Sequence, residues 1–340
     1  MSAFAVVVPA LVRTPEHAEN LRRCLEALAQ CDPAPAEAVV VDDGSPEPID
    51  LAPWGLAGAF EVIRQPNAGP ASARNAGARA TTAPVLVFVD ADICVPPDTF
   101  ARLAAALEAH PDAAAVWGTV TAAHPHPGPV SRYKNLTHRH FTLRQGDRHG
   151  LVETPHLTTM LAAVRREAFE AVGGFDTRLT TVSVEDVELG RALVDAGGRV
   201  LLDPGLEAEH RHRFTLGSAV RNDAHKLRRL VSATLRRRAA GGTSVAGDRP
   251  ADARMRRYVL TIPLGLGATG FALTGRWGRA ALCLGALAVA ERDLLAFLAD
   301  AGGRRFALAC LPLMALERTT ATAAIALGVV DFVRDSAEEP

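Results

Sequence analysis

Val85-Leu86-Val87-Phe88-Val89-Asp90-Ala91-Asp92 runs five large apolar residues straight into a pair of acids. An unbroken β-branched and aromatic run, without polar alternation, marks a strand buried on both faces, as in a sheet covered by helices. The stretches around it repeat the theme. Residues 3–9 form a second such run, closing on Pro9, and residues 38–41 a third, closing on the turn signal Asp42-Asp43-Gly44-Ser45. Residues 60–64 and 113–120 read as further strands. Between them, residues 15–30 carry Leu21, Cys24, Leu25 and Leu28 at helical spacing, residues 71–80 form a small-residue helix, and residues 97–109 another helix. This alternation predicts an α/β fold, a mostly parallel twisted sheet between helices. In such sheets ligands sit at the carboxyl ends of strands. Asp42, Asp43, Asp90 and Asp92 all stand at such ends. Farther on, residues 157–164 read as a strand, 184–196 as a helix, and 199–202 as a strand leading into Asp203-Pro204. Residues 124–155, rich in Pro and His and then basic and polar, read as irregular.

The chain has 340 residues, with 37 Lys+Arg against 38 Asp+Glu. That balance gives no field for nucleic acid, and none is expected as a partner. The five cysteines form no C-x-x-C pair and are irregularly spaced, which indicates neither a zinc knuckle nor a disulfide framework. The N-terminal run is short and lacks a basic flank, so it reads as a strand rather than a signal peptide.

The distribution of charge is less even. From Arg211 to Arg257 there are thirteen Arg/Lys against three Asp. Residues 258–273 are then almost free of charge, and further apolar stretches follow, interrupted at Glu291-Arg292-Asp293 and Glu317-Arg318. The expected organisation is an α/β domain over 1–215, a basic amphipathic juxtamembrane segment over 216–257, and hydrophobic membrane-associated helices over 258–334. A basic cluster beside membrane segments places the preceding domain on the cytoplasmic face. A buried helical subdomain is the competing reading, because a spanning helix needs ~20 apolar residues and these runs are shorter.

Four groups of residues carry chemistry. Asp90 and Asp92, two apart in an extended chain, can face one Mg²⁺ or Mn²⁺, a hard cation that takes carboxylate oxygens and bridges phosphates. Asp42 and Asp43 can accept the N–H of a base or the hydroxyls of a ribose. Residues 67–77, Asn-Ala-Gly-Pro-Ala-Ser-Ala-Arg-Asn-Ala-Gly, allow close backbone approach, and Arg74 offers a fork of donors suited to a diphosphate. Gly173-Gly174-Phe175-Asp176 precedes Val184-Glu185-Asp186, where two acids open a helix and its dipole favours their ionised form. The bland alternatives are an Asx turn at Asp42-Asp43, a packing helix at 71–80, and acids that merely stabilise the helix dipole. His124, His126, His138 and His140 read as loop surface, with no recognisable zinc set.

The ordered set of Pro9, Val41-Asp42-Asp43-Gly44-Ser45, residues 67–77, Asp90-Ala91-Asp92, Gly173-Gly174-Phe175-Asp176 and Glu185-Asp186 resembles the family 2 glycosyltransferases of GT-A fold. The resemblance covers residues 3–212. It implies a donor site of Pro9, Asp42, Asp43, Arg74 and Asp90, with Asp43 on the nucleobase and Arg74 on the base or diphosphate. It implies Asp92 as ligand of Mg²⁺ or Mn²⁺, His210 at the metal or diphosphate, Asp186 as catalytic base, and Glu185 and Gly174 on the acceptor side. The expected reaction inverts the anomeric centre of a UDP-linked or similar nucleotide-diphosphate sugar. The expected acceptor is a lipid or glycan at a membrane. Pro9-Ala10-Leu11 departs from the family, where a hydroxyl and an aromatic residue often follow the strand. No Q-x-x-R-W-type motif follows Asp186, which favours addition of one or a few sugars over a polymer. Two other classes remain: a non-catalytic scaffold, opposed by the intact Asp92 and Asp186, and a sugar nucleotidyltransferase, which needs a glycine-rich loop that residues 10–13 lack.

Overall fold

The computed structural model describes residues 3–144, 150–177, 184–239 and 249–338. They fall into two compact units, Met1–Pro125 with Gln145–His212, and His126–Arg144 with Arg213–Pro340. In chain order the elements are β1 Phe4–Ala10, α1 Pro15–Ala29, β2 Glu37–Asp43, β3 Glu61–Gln65, α2 Pro70–Arg79, β4 Val85–Val89, β5 Ile93–Cys94, α3 Thr99–Ala109, β6 Ala113–Val120, α4 Pro129–Leu143, β7 Val152–Glu153, β8 Leu161–Arg165, α5 Arg166–Ala171, α6 Glu185–Asp195 and β9 Arg199–His210. Then follow α7 Leu216–Ala239, α8 Arg249–Leu273, α9 Trp277–Ala290, α10 Arg292–Gly302, α11 Arg304–Ala309 and α12 Leu311–Glu338.

The first unit is built on one sheet, in the order β3-β2-β1-β4-β8-β6-β9-β5, with β7 paired to β9. β3, β2, β1 and β4 are mutually parallel. β8 runs antiparallel to both β4 and β6, so the sheet is mixed. Apolar periodicity reports burial and carries no strand direction, which is why this reversal is invisible in sequence. Val6, Val8, Val87 and Val89 pack into a core shared with Leu21, Leu25, Phe100 and Leu103. Ala5, Val7, Leu86 and Phe88 join Ala71, Ala73, Trp117 and Phe175 in a second core. The continuous apolar runs are therefore strands covered on both faces. α2 needs its small residues, because a Cβ at Gly77 would collide with Val7, Val39 and Val41. Pro9 fits within a sheet because pairing of β1 with β4 ends at Val7–Phe88, two residues earlier, so no ladder N–H is required there.

Two segments differ from the sequence reading. Within residues 124–155, Pro129–Leu143 is a helix started by Pro129. Its buried face carries Ser131, Asn135 and Thr142 beside Tyr133 and Leu136, and those polar residues hide the helical period. Residues 145–149 of that stretch lie outside the described residues. β9 does not stop at Leu202. Its pairing with β6 shifts register between Trp117 and Thr119, and resumes with Thr119 opposite Glu207. The Asp203-Pro204 turn signal is absorbed as a bulge, and the strand runs on to His210.

In the second unit, Tyr133 and Leu136 of α4 share a core with Ala268, Leu287, Leu298, Cys310 and Met314. Glu317-Arg318 does not interrupt α12. Arg318 is buried, its Nη2 2.8 Å from Glu291 Oε1 and its Nε donating to Thr261 Oγ1 at 2.9 Å. Its guanidinium also lies 3.8 Å from the Tyr258 ring centroid. Internal pairing lets these charges sit within an apolar bundle. The stretch Arg304–Arg334 is long and apolar enough to cross a membrane. Leu260, Leu273, Trp277, Leu282 and Val289 are at least 70 % exposed. Residues 240–248 of the basic segment lie outside the described residues.

Candidate active site

β4 carries the chain to Asp90, and a turn closed by Ile93 N–H donating to Asp90 O at 3.0 Å redirects it. The turn separates the two acids, so the same-side rule for an extended chain does not apply. Asp90 Oδ1 accepts from Arg74 Nη2 at 2.7 Å. Asp92 Oδ2 lies 3.4 Å from His212 Nδ1 and 3.8 Å from His210 Nε2. β5 explains the second grouping. Ile93 sits directly opposite His210 in the antiparallel β5–β9 pair, and Arg211 N–H donates to Asp92 O at 2.8 Å. The continuation of β9 past its bulge is thus what brings His210 to Asp92.

Desolvation pushes the Asp90 carboxyl up from its usual value, and the Arg74 charge only partly offsets this. At Asp92 desolvation acts the same way, but His212 and His210 together overcome it and hold the carboxyl below its usual value. One carboxylate oxygen and an imidazole nitrogen suit Mn²⁺ or Mg²⁺ as a donor set. Among the described residues no three His, Cys, Asp or Glu side chains form a ready cage. An ion held at Asp92 and His210 would therefore complete its shell with ligand oxygens and water, an arrangement suited to diphosphate.

Asp42 is fully buried and braces its own loop. Oδ1 accepts from Ser45 N–H at 2.8 Å, Oδ2 from Ile49 N–H at 3.3 Å, and Arg64 Nη1 stands 3.3 Å from Oδ2. Ser45 in turn accepts from Val12 N–H at 2.9 Å, which ties the exit of β1, and hence Pro9, to this loop. Asp43 Oδ1 accepts from Gln65 Nε2 at 2.7 Å and Ala68 N–H at 2.9 Å, and Oδ2 from Gly69 N–H at 2.9 Å. This carboxylate holds the small-residue loop before α2 against the end of β2.

Arg74, in the second turn of α2, is 3 % exposed. Its Nη1 donates to Glu185 Oε1 at 3.0 Å while Nη2 serves Asp90. Burial alone would make the guanidinium easier to deprotonate, but Asp90 and Glu185 more than compensate and stabilise its charge. Glu185 is buried at the start of α6, and Asp186 is half-buried with Oδ1 accepting from Val187 N–H at 2.8 Å. Gly174 has φ of +74°, and a Cβ there would come within 2.8 Å of Asn75 Oδ1. Only glycine meets both demands without strain.

The structure thus gathers Asp90, Arg74 and Glu185 in one line, with Asp186 next along the chain. It gathers Asp92 and His210 in a second group. Asp42, Asp43 and Pro9 belong to a third, the loops beside the exits of β1 and β2. Sequence reasoning missed His212, His124 and Asn75. His212 stands nearer to Asp92 than His210 does, and its ring stacks on His210 at 6.1 Å between centroids. His124 meets the His210 ring edge-on at 6.2 Å, and its Nε2 lies 3.2 Å from His212 O. The His210-x-His212 spacing was the available signal. For His124 and Asn75 only the fold supplies it.

The sequence profile of glycosyl transferase family 2 matches residues 5–173. A pre-mycofactocin glycosyltransferase of Mycobacterium tuberculosis is 32% identical over 353 residues, which cover 97% of this chain and 71% of that protein. A glucosyl-dolichyl phosphate glucuronosyltransferase of Haloferax volcanii is 26% identical over 210 residues, 58% of this chain and 66% of that protein. Among solved structures, a mannosyltransferase of Pyrobaculum calidifontis, in complex with GDP-mannose and Mn²⁺, superposes with a TM-score of 0.59. It is 22% identical, and the match covers 98% of this chain and 88% of that one. The chain therefore belongs to glycosyl transferase family 2 and is a glycosyltransferase of GT-A-type fold.

Proposed function

We propose that the protein is a metal-dependent, inverting, non-processive transferase. It moves a sugar from a nucleotide-diphosphate sugar to a hydroxyl on a lipid-linked or similar acceptor at a membrane. The observation that carries this reading is the line Asp90–Arg74–Glu185, which ties the donor-side acid at the end of β4 to the helix turn bearing Asp186. Pro9, Asp43 and Asp90 border the donor, and Asp42 supports their loop from behind.

Asp186 accepts the proton of the acceptor hydroxyl as that oxygen forms a bond to the anomeric carbon. The bond from that carbon to the diphosphate oxygen breaks on the opposite face, and the nucleoside diphosphate leaves. Asp92 and His210 would hold a divalent ion such as Mn²⁺ or Mg²⁺, and the chemistry it would supply there is electrostatic stabilisation of the leaving diphosphate. The Mn²⁺ and GDP-mannose of the Pyrobaculum relative support a divalent ion and a nucleotide-sugar donor. UDP and GDP donors are both candidates. The exposed apolar residues of the second unit and the span-length stretch Arg304–Arg334 support membrane attachment. The excess of Arg and Lys between Arg211 and Arg257 favours a cytoplasmic catalytic unit. The dolichyl-phosphate name of the Haloferax relative supports a lipid-linked acceptor.

A thermal-shift screen of the purified chain against UDP, GDP and their sugars, with and without Mn²⁺, tests the donor side, since a ligand of the native state raises apparent stability. The expected result is a shift that needs both nucleotide and metal. Transfer assays then compare a glucosylated lipid phosphate and pre-mycofactocin as acceptors. No stabilisation by any nucleotide, with or without metal, contradicts the reading.

A further inference from the structure

We propose that Thr119 and Thr158 are specificity-determining residues for the transfer, whose side-chain hydroxyls meet hydroxyl groups of the transferred sugar between Asp90 and the first turn of α6. Their role depends on the function proposed above.

Thr119 lies in β6, 2 % exposed, and its Oγ1 has no hydrogen-bond partner among the described residues. Folded chains pair nearly every buried hydroxyl, because an unpaired one forfeits its water without replacement. Its direction is set by its neighbours. A Cβ at Gly118 would meet Leu161 and Leu206, which belong to the first core, so Thr119 faces the opposite side, with Trp117 of the second core. On that face Arg74 of α2 joins Asp90 to Glu185 of α6. Register brings Thr119 level with Asp90. Val89 is opposite Leu161, and Trp117 opposite Ala162, so one and two residues on, Asp90 and Thr119 flank Met160. Asp90 N–H donates to Met160 O at 3.4 Å. With strands ~4.8 Å apart, Thr119 stands roughly 10 Å from Asp90 across the sheet. Met160 packs against the first core, so its side chain does not divide them on this face.

Thr158 approaches along α6. A Cβ at Gly190 would come within 2.8 Å of Leu157 Cβ and of Pro155 O, so the chain before β8 lies directly on that helix. Asp186 is one turn earlier on the same side of α6. From Leu157 the chain reaches Met160 beside Asp90, and Arg74 ties Asp90 to the start of α6. Residues 157–160 therefore run along the first turn of α6, past Asp186. Thr158 is half-buried, and its Oγ1 is enclosed without a partner among the described residues. Two orphan hydroxyls thus border the space between the donor-side acid and the base. A hydroxyl both donates and accepts, which suits a sugar, and a built polar contact discriminates between ligands that differ in one hydroxyl.

The test uses the full chain with Thr119→Val, Thr158→Val and Thr119→Ser, in Mn²⁺. Dissociation constants are read for UDP and GDP and for UDP-glucose, UDP-galactose, UDP-N-acetylglucosamine and GDP-mannose, beside a urea melt of the ligand-free chain. Each valine variant should lose roughly tenfold in affinity for at least one sugar nucleotide, the cost of leaving a sugar hydroxyl unpaired. Affinity for the bare nucleotide should stay within about threefold, because separate contacts act independently. Thr119→Ser, which keeps the hydroxyl, should bind that sugar nucleotide nearly as wild type does. The urea midpoint of Thr119→Val should hold or rise, since an unpaired buried hydroxyl gives way to a methyl group. Unchanged affinity of either valine variant for every sugar nucleotide overturns the proposal and leaves the proposed function standing. A lowered midpoint with unchanged sugar affinity does the same, and assigns Thr119 a structural water. An equal loss for nucleotide and sugar nucleotide overturns it too, as does a Thr119→Ser chain as impaired as Thr119→Val. A wild-type chain that binds none of these nucleotides removes the proposed function, and the role of both threonines with it.

Discussion

Asp92 faces two imidazoles and Asp90 faces an arginine, although one residue separates them. The two neighbouring acids therefore do different work, and single substitutions separate it. Asp92→Asn removes the charge that would hold the ion, so Mn²⁺ affinity in the presence of nucleotide and the rate of transfer should both collapse while circular dichroism stays native. A Mn²⁺ titration followed by initial rate checks this, and wild-type activity that survives exhaustive chelation contradicts it. His210→Ala should weaken Mn²⁺ in the same assay while the half-buried Asp92 keeps His212 beside it. Asp42 predicts a different outcome. It is wholly buried and accepts two backbone N–H groups, so Asp42→Ala strands buried donors and should cost about 1–3 kcal/mol of stability. A denaturant melt reads that loss directly.

At the scale of elements, β5 and the tail of β9 assemble the Asp92 group, and α2 assembles the Asp90 group. α2 lies close to β1 and β2 only because Gly77 has no side chain. Gly77→Val should overpack that contact and destabilise the first unit by about 1–3 kcal/mol, read as a lowered midpoint in urea. A midpoint unchanged from wild type would show that the contact is not tight. The apolar strands and the amphipathic α1 were legible in sequence because burial on one or two faces imposes a period or its absence. Asp90, Asp92 and Asp186 were legible as strand-end and helix-start acids. His212 and His124 were not, because their meeting depends on a β9 bulge that the Asp203-Pro204 turn signal disguises. Arg74 was legible as a fork of donors, but its partners lie 16 and 111 positions away, and no local pattern names them. α4 was hidden by polar residues on its buried face, where Thr142 donates to His138 O and Ser131 accepts from Phe214 N–H, so the apolar stripe is broken.

At the scale of the molecule, the sequence combines a nucleotide-sugar enzyme fold with a helical unit that exposes large apolar side chains. The expected behaviour is that the full-length chain sediments with membranes and needs detergent. Replacing Leu260, Leu273, Trp277 and Leu282 together by serine should move it toward the soluble fraction, because each removes exposed apolar area worth about 25 cal/mol per Å² when buried in lipid. Full-length chain found entirely soluble without detergent contradicts membrane attachment. A cut near residue 242 is a less clean test, because it strips α12 from α7 and α10 from α4 within the second unit. Asp186 is the proposed base of sugar transfer, and the paired measurement of nucleotide affinity and turnover in Asp186→Asn decides it. The expected result is a loss in turnover of ~10²–10⁴-fold, the usual range for general acid–base catalysis, with nucleotide affinity in Mn²⁺ nearly unchanged. Near-normal turnover would place the base elsewhere, and affinity that falls in proportion to rate would assign Asp186 to the donor site.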